Sequence, residues 1–252
     1  VLGLHRQSAA HRPQAKGRMM LAFAGALITS YLLGSIPAAH IAGLSKGIDL
    51  RKHGSGNLGA TNVIRVLGSK IGLIVFAFDM AKGAVPVAVF SRWLPTDALL
   101  FGDPTITGIA CGVAAIAGHV RPIYLKFGKG GKGVATAAGV FLALAPVQTL
   151  LTLVVFAVVL LSSGFVSLGS LTGALLLPVL LAITVGLRSP LFAISVLVAV
   201  FVFWTHRANI ARLRRGEEHR FGKRGTPARR PAATLAISLV IVLAVVIAAR
   251  FA

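Results

Sequence analysis

The chain has 252 residues, of which 56% are hydrophobic and 13% charged, with 26 Lys plus Arg against 6 Asp plus Glu and a single Cys. A soluble domain carries roughly a quarter of charged residues, so an ordinary soluble fold is excluded, in line with a mean hydropathy of +0.85. Cys111 stands alone in an apolar stretch, which excludes a disulfide framework and a thiolate metal site.

Residues 1–18 are polar and basic and are expected to form a disordered tail before the Met19-Met20 pair. The apolar run that follows is too long for the core of a signal peptide, so the first helix is expected to be retained. Apolar segments then fall at about 19–44, 71–94, 105–118, 134–161, 165–187, 190–205 and 233–249. Segments of this length, apolar on every face, predict an all-α, polytopic helical bundle rather than a barrel of short alternating strands. Residues 19–252 read as a single membrane domain. The net charge of +20 is not a nucleic-acid signature, because the basic residues lie in loops beside the spans and are not interleaved with aromatics. It follows the rule that basic loops stay on the cytoplasmic side.

Three stretches between the segments, 46–70, 119–133 and 206–232, hold 18 of the 26 Lys and Arg residues. All three are expected on the cytoplasmic side. Strict alternation over seven crossings would put the third opposite the first two, so one segment should fail to cross. The short segments at 105–118 and 190–205 are the candidates, and 190–205 is favoured.

The first stretch packs Ser55, Asn57, Thr61, Asn62 and Arg65 among Gly54, Gly56, Gly59 and Gly68. Glycines let backbone N–H groups approach a ligand, and Ser, Asn and Arg donate to phosphate oxygens, so the pattern points to an anion. The alternative is a set of turns and helix caps around Asn57. The second stretch sets Gly128, Gly130, Gly131 and Gly133 around Lys129 and Lys132 just before an apolar helix, a second anion cradle unless it is only a flexible linker. It departs from the G-x-x-x-x-G-K-[ST] nucleotide loop, since Gly133 follows Lys132. The third stretch places His206, Asn209 and Leu213 on one helical face, with Glu217 and Glu218 after Gly216. Its arginines Arg214, Arg215, Arg220 and Arg224 are expected to be solvated or against lipid headgroups.

Within the membrane, Asp79 and Lys82 sit three residues apart and are expected to form an ion pair that orients the first stretch. Ser167 and Ser170 either close helices against one another or face the site, with Ser170 taken as the substrate-binding candidate. No clustered aspartates exist to hold Mg²⁺, and no His/Asp/Glu group has metal-site spacing, so neither a metal site nor a cofactor is expected. A His-Asp relay and a nucleophile elbow are absent as well.

Together the strings GSGNLGATNVIR at 54–65, KFGKGGKGVAT at 126–136 and HRANIARLRRGEE at 206–218 resemble the bacterial acyl-phosphate:glycerol-3-phosphate acyltransferases, the PlsY family. GSIP at 34–37 and DMAKG at 79–83 extend the likeness over about Leu27 to Ala249. The resemblance implies a multi-pass protein of the bacterial inner membrane with its site loops toward the cytoplasm. It implies transfer of a fatty acyl group from acyl phosphate to the 1-hydroxyl of sn-glycerol 3-phosphate, giving lysophosphatidic acid and phosphate. An enzyme producing acyl phosphate would be its functional partner. By motif position, Ser55, Arg65 and Lys132 look like phosphate clamps, with Asn57, Thr61 and Asn62 shaping the first loop. The amides of Gly130, Gly131 and Gly133 resemble the family's second cradle. His206 and Asn209 look like site-lining residues, and Glu217 or Glu218 matches the acidic position. The base implied is the acceptor's own phosphate, with His206 as the competitor. An organophosphate transporter and a metal-dependent CDP-alcohol phosphotransferase are the other classes, disfavoured by the lack of paired half-repeats and of an aspartate motif.

Overall fold

The computed structural model describes residues 11–221, and all its regular elements there are helical. In chain order they are α1 His11–Ser35, α2 Ala38–Leu44, α3 Ala60–Leu67, α4 Ser69–Trp93, α5 Pro104–Val120, α6 Val134–Leu144, α7 Pro146–Ser163, α8 Val166–Thr184, α9 Pro190–Thr205 and α10 Arg207–Arg214, with three short 3₁₀ turns. Residues 11–18, expected as tail, are the first turns of α1. Pro13 lies in the opening turn, where its missing N–H costs nothing, and Gln14, Ala15 and Lys16 favour a helix. The apolar segment at 233–249 lies outside the described residues.

Among the described residues five helical spans are long and apolar enough to cross a bilayer, or six if α9 and α10, bent by 59°, count as one. The segment at 105–118 is one of them, since with its 3₁₀ extension it runs Pro104–Leu125. The predicted single segment at 134–161 is two helices. Pro146 cannot continue α6, so Ala145 leaves the helical region (φ −147°, ψ 69°) and α7 starts anew at the proline.

This break resolves the parity conflict. A straight helix over 134–163 would be roughly 45 Å long, yet Lys132 and Ser167, at its two ends, are joined through only Asn209 and Glu218. The chain therefore descends along α6 and returns along α7. α6, with 11 residues, is only about 16 Å long and reaches part-way into a bilayer. Alternation then returns all three basic stretches to one end of the bundle, with no need for 190–205 to fail.

α4 is the central helix, packed against α1, α3, α5 and α6. Close crossings rest on glycines: Gly83 lies on Thr136 of α6 and Gly139 on Met80 of α4, while Gly34 lies on Ala115 of α5 and Gly118 on Tyr31 of α1. Such small-residue contacts let helix backbones approach in a membrane, where apolar side chains gain nothing by leaving lipid. Lys82 Nζ lies 2.8 Å from Asp79 Oδ1, as predicted, and donates at 2.8 Å to Ile36 O, at the break between α1 and α2. Ile36 O also accepts the Ala38 amide (3.0 Å), so this carbonyl at the helix break is used twice.

Candidate active site

The three basic stretches converge at the end of the bundle where α3, α6, α8 and α10 begin. The first is a loop folded around Asn62, which is 1% exposed. Its Nδ2 donates to Leu50 O (3.2 Å) and His53 O (3.1 Å), and its Oδ1 accepts from the Ser55 amide (2.8 Å). Asn62 is thus the organiser of the loop, with all its strong hydrogen-bonding positions turned inward. α3 opens at Ala60 with Gly59 as its N-cap and no side-chain cap, so the capping half of the alternative reading fails, while Gly54 and Gly56 do make left-handed turns (φ 61° and 67°). Ser55 and Arg65 are exposed, and Asn57 and Thr61 are half-buried.

The second stretch folds back on the end of α5. The amide of Gly130 donates to Val120 O (3.0 Å) and that of Gly131 to His119 O (3.2 Å), while Tyr31 Oη donates to Arg121 O (2.7 Å). Two of the three amides expected to cradle an anion are therefore spent inside the loop, because the turn back onto α5 needs them. Gly133 remains, in the left-handed region (φ 81°), as an N-cap of α6 that supplies no side-chain cap. The uncapped first turn leaves amide hydrogens directed out of the helix.

Lys132 Nζ donates to Asn209 Oδ1. Asn209 Nδ2 donates to Glu218 Oε1 (2.7 Å), Ser167 Oγ donates to the same oxygen (3.2 Å), and Arg212 Nε donates to Glu218 Oε2 (2.7 Å). Arg65 lies within electrostatic reach of both Glu218 and Arg212. Arg65, Lys132 and Arg212 thus surround one carboxylate and leave a positive excess. Burial pushes the Lys132 amine down to about 8; Glu218 opposes that fall, while Arg212, Lys129 and Arg65 add to it. The His206 ring is buried, with Nδ1 2.9 Å from Val202 O. A carbonyl only accepts, so in the neutral ring the proton sits on Nδ1 and Nε2 is the acceptor.

The structure chooses between the two glutamates. Glu218 joins the network, whereas Glu217 is exposed and pairs with Arg215. Ser170, carried as a site candidate, donates to Val166 O of its own helix, and Ser167, one turn earlier, faces the cluster instead. Arg212 was not singled out by sequence reading, although its position three residues beyond Asn209 put it on the same face. No group of three or more metal-ligating side chains occurs among the described residues.

The fold and this cluster define an integral, multi-pass membrane protein with a cationic site at one end of its helices. The family model described as glycerol-3-phosphate acyltransferase matches residues 24–216. A glycerol-3-phosphate acyltransferase of Geotalea daltonii is 43% identical over 195 residues, covering 77% of this chain and 95% of the relative. One of Chlorobaculum tepidum is 40% identical over 232 residues, covering 81% and 100%. The crystal structure of PlsY, an integral membrane glycerol 3-phosphate acyltransferase, in its glycerol 3-phosphate form, is similar with a TM-score of 0.70 at 36% identity, covering 79% of this chain and 96% of that one. Its lysophosphatidic acid form gives 0.68 at 35%, covering 79% and 95%. The chain belongs to the glycerol-3-phosphate acyltransferase family, and it is an acyltransferase acting on glycerol 3-phosphate.

Proposed function

We propose that the acyl donor is acyl phosphate and that the reaction is metal-independent and assisted by the acceptor's own phosphate. The observation that carries this reading is the convergence of Arg65, Lys132 and Arg212 on Glu218 at the head of an apolar bundle. Two phosphate-bearing substrates need such a positive excess, and the charge that a metal would otherwise supply comes from these side chains. An apolar groove of about 240 Å³ between α2 and α4, lined by Ile36, Ile41, Ile71, Ile74 and Phe78, has the character an alkyl chain requires.

In the proposed reaction the 1-hydroxyl oxygen attacks the acyl carbonyl carbon, the bond from that carbon to the phosphate oxygen breaks, and the hydroxyl proton passes to the phosphate of glycerol 3-phosphate. Acyl phosphate is a mixed anhydride whose phosphate leaves readily, so the protein's task is positioning and charge stabilisation. Lys132, Arg65 and Ser55 take the roles of phosphate clamps, with Asn57, Thr61 and the Gly133 end of α6 beside them. Asn209, held by Glu218, aligns Lys132. His206 contributes shape and a hydrogen-bond acceptor. The meeting of the basic stretches at one end supports site loops on the cytoplasmic side, in the bacterial inner membrane that the family resemblance implies. A partner enzyme that makes acyl phosphate would supply the labile donor.

The test is phosphate release by purified protein given palmitoyl phosphate and glycerol 3-phosphate, with EDTA and without nucleotide or coenzyme A. Release that requires both substrates, yields lysophosphatidic acid and collapses in Lys132→Ala and Arg65→Ala supports the reading. No release from folded protein that does react with another acyl donor overturns it. Rapid turnover by His206→Gln removes His206 as the base, whereas its loss with intact substrate binding would reinstate it.

A further inference from the structure

We propose that His119 is a positioning residue that sets the second loop, and thereby Lys132, by holding Gly131 against the Asp79–Lys82 pair inside the membrane. This rests on the reading of Lys132 as a phosphate clamp.

The chain of contacts is continuous. His119 lies in the last turn of α5 and is 5% exposed; its Nδ1 lies 3.5 Å from Asp79 Oδ1, which in turn lies 2.8 Å from Lys82 Nζ. On its other side the ring lies directly beneath Gly131. A Cβ added at Gly131 would fall within 2.7 Å of His119 Cε1 and collide with Nε2. The same residue's carbonyl accepts the Gly131 amide at 3.2 Å. Gly131 is therefore fixed twice by one residue, and Lys132 is the next residue in the chain. His119 cannot drift, because Gly118 seats the helix end against Tyr31 O and Ser35 of α1. Lys82 also donates to Ile36 O, so the buried pair ties the break between α1 and α2 to the phosphate loop. A charged pair in a membrane interior is costly to keep, and a role in fixing a loop that must place an ammonium within a fraction of an ångström accounts for its presence.

Two isosteres separate positioning from simple satisfaction of Asp79. Asn at 119 puts an amide nitrogen near the place of Nδ1 and keeps the contact with Asp79, but leaves nothing under Gly131. Gln at 119 reaches the place of Nε2 and keeps the platform. The experiment compares His119→Asn and His119→Gln in the full chain in lipid, by hydrogen exchange of residues 128–133, thermal midpoint, and kcat and KM for transfer to glycerol 3-phosphate. For His119→Asn we expect exchange in the loop to rise about ten-fold with α4 and α5 unchanged. Its kcat/KM should fall by about 100-fold, the cost of an ångström of misplacement. His119→Gln should retain most of both. The reverse order, with Asn restoring the loop and transfer better than Gln, overturns the proposal. So does wild-type loop exchange in both. Should His119→Asn not fold, Gly131→Ala wedges the loop off an intact His119; wild-type exchange and transfer in that variant would equally overturn it. Loop exchange responding as expected in a protein that shows no transfer from acyl phosphate would refute the proposed donor and leave the positioning intact.

Discussion

The charge on Lys132 makes a quantitative prediction. Burial lowers its amine to about 8. A lysine with a lowered value carries its charge below that value and loses it as pH rises through it, so a phosphate clamp based on Lys132 works on the acidic side of pH 8. With a midpoint near 8 the ammonium fraction is about 0.9 at pH 7 and about 0.1 at pH 9, which makes the expected fall in kcat/KM about ten-fold over that interval. Glu218 holds the value up, so Glu218→Gln should move the alkaline limb to lower pH. Lys132→Arg should abolish the limb whatever its absolute rate, because guanidinium does not deprotonate in this range. The assay is the initial rate of lysophosphatidic acid formation between pH 6 and 10, with glycerol 3-phosphate well below KM. A profile flat to pH 10 in the wild type, or an alkaline limb near 8 that persists in Lys132→Arg, would refute the assignment.

Other outcomes follow from the same geometry. Glu217→Ala removes an exposed pair with Arg215 and should change transfer by no more than about 2-fold, whereas Glu218→Ala strips Asn209, Arg212 and Ser167 of their shared acceptor and should lower kcat/KM at least about 30-fold; steady-state kinetics decide. Asn62→Ala leaves the Ser55 amide and two loop carbonyls without their partner, at about 1–3 kcal/mol for each group that stays buried. Its expected signature is a raised KM for glycerol 3-phosphate and faster hydrogen exchange over 50–57. Lys82→Met leaves the buried Asp79 carboxylate with only His119 beside it and should cost about 3 kcal/mol. The double substitution Asp79→Asn with Lys82→Met should restore part of the thermal midpoint in the same detergent.

Much of the site was legible in the order of residues. The three strings that meet at the bundle end are local, each set by glycine turns and a helix start, so their composition exposed them without any knowledge of the fold. The Asp79–Lys82 pair was legible for the same reason, since three residues on a helix bring two side chains together. What failed was anything decided across helices. Ser167 and Ser170 are equally plausible serines on one helix, and only the return of residues 216–218 beneath α8 selects Ser167. Gly130 and Gly131 look like free donors until the loop is seen folded onto the α5 carbonyls.

By itself the sequence determined the solvent and the chemistry: long apolar segments demand a bilayer, and clustered Arg, Lys, Asn and Gly beside them demand an anion. The tertiary structure alone decided topology and partnership. Pro146 turns one apparent crossing into a descent and a return, which brings three basic stretches to one end. His119 gains its place only because α4, α5 and the second loop are packed together there. Hydropathy and motif spacing are properties of neighbours along the chain, whereas a hydrogen bond between Lys132 and Asn209 joins residues 77 positions apart and depends on the chain between them folding back on itself.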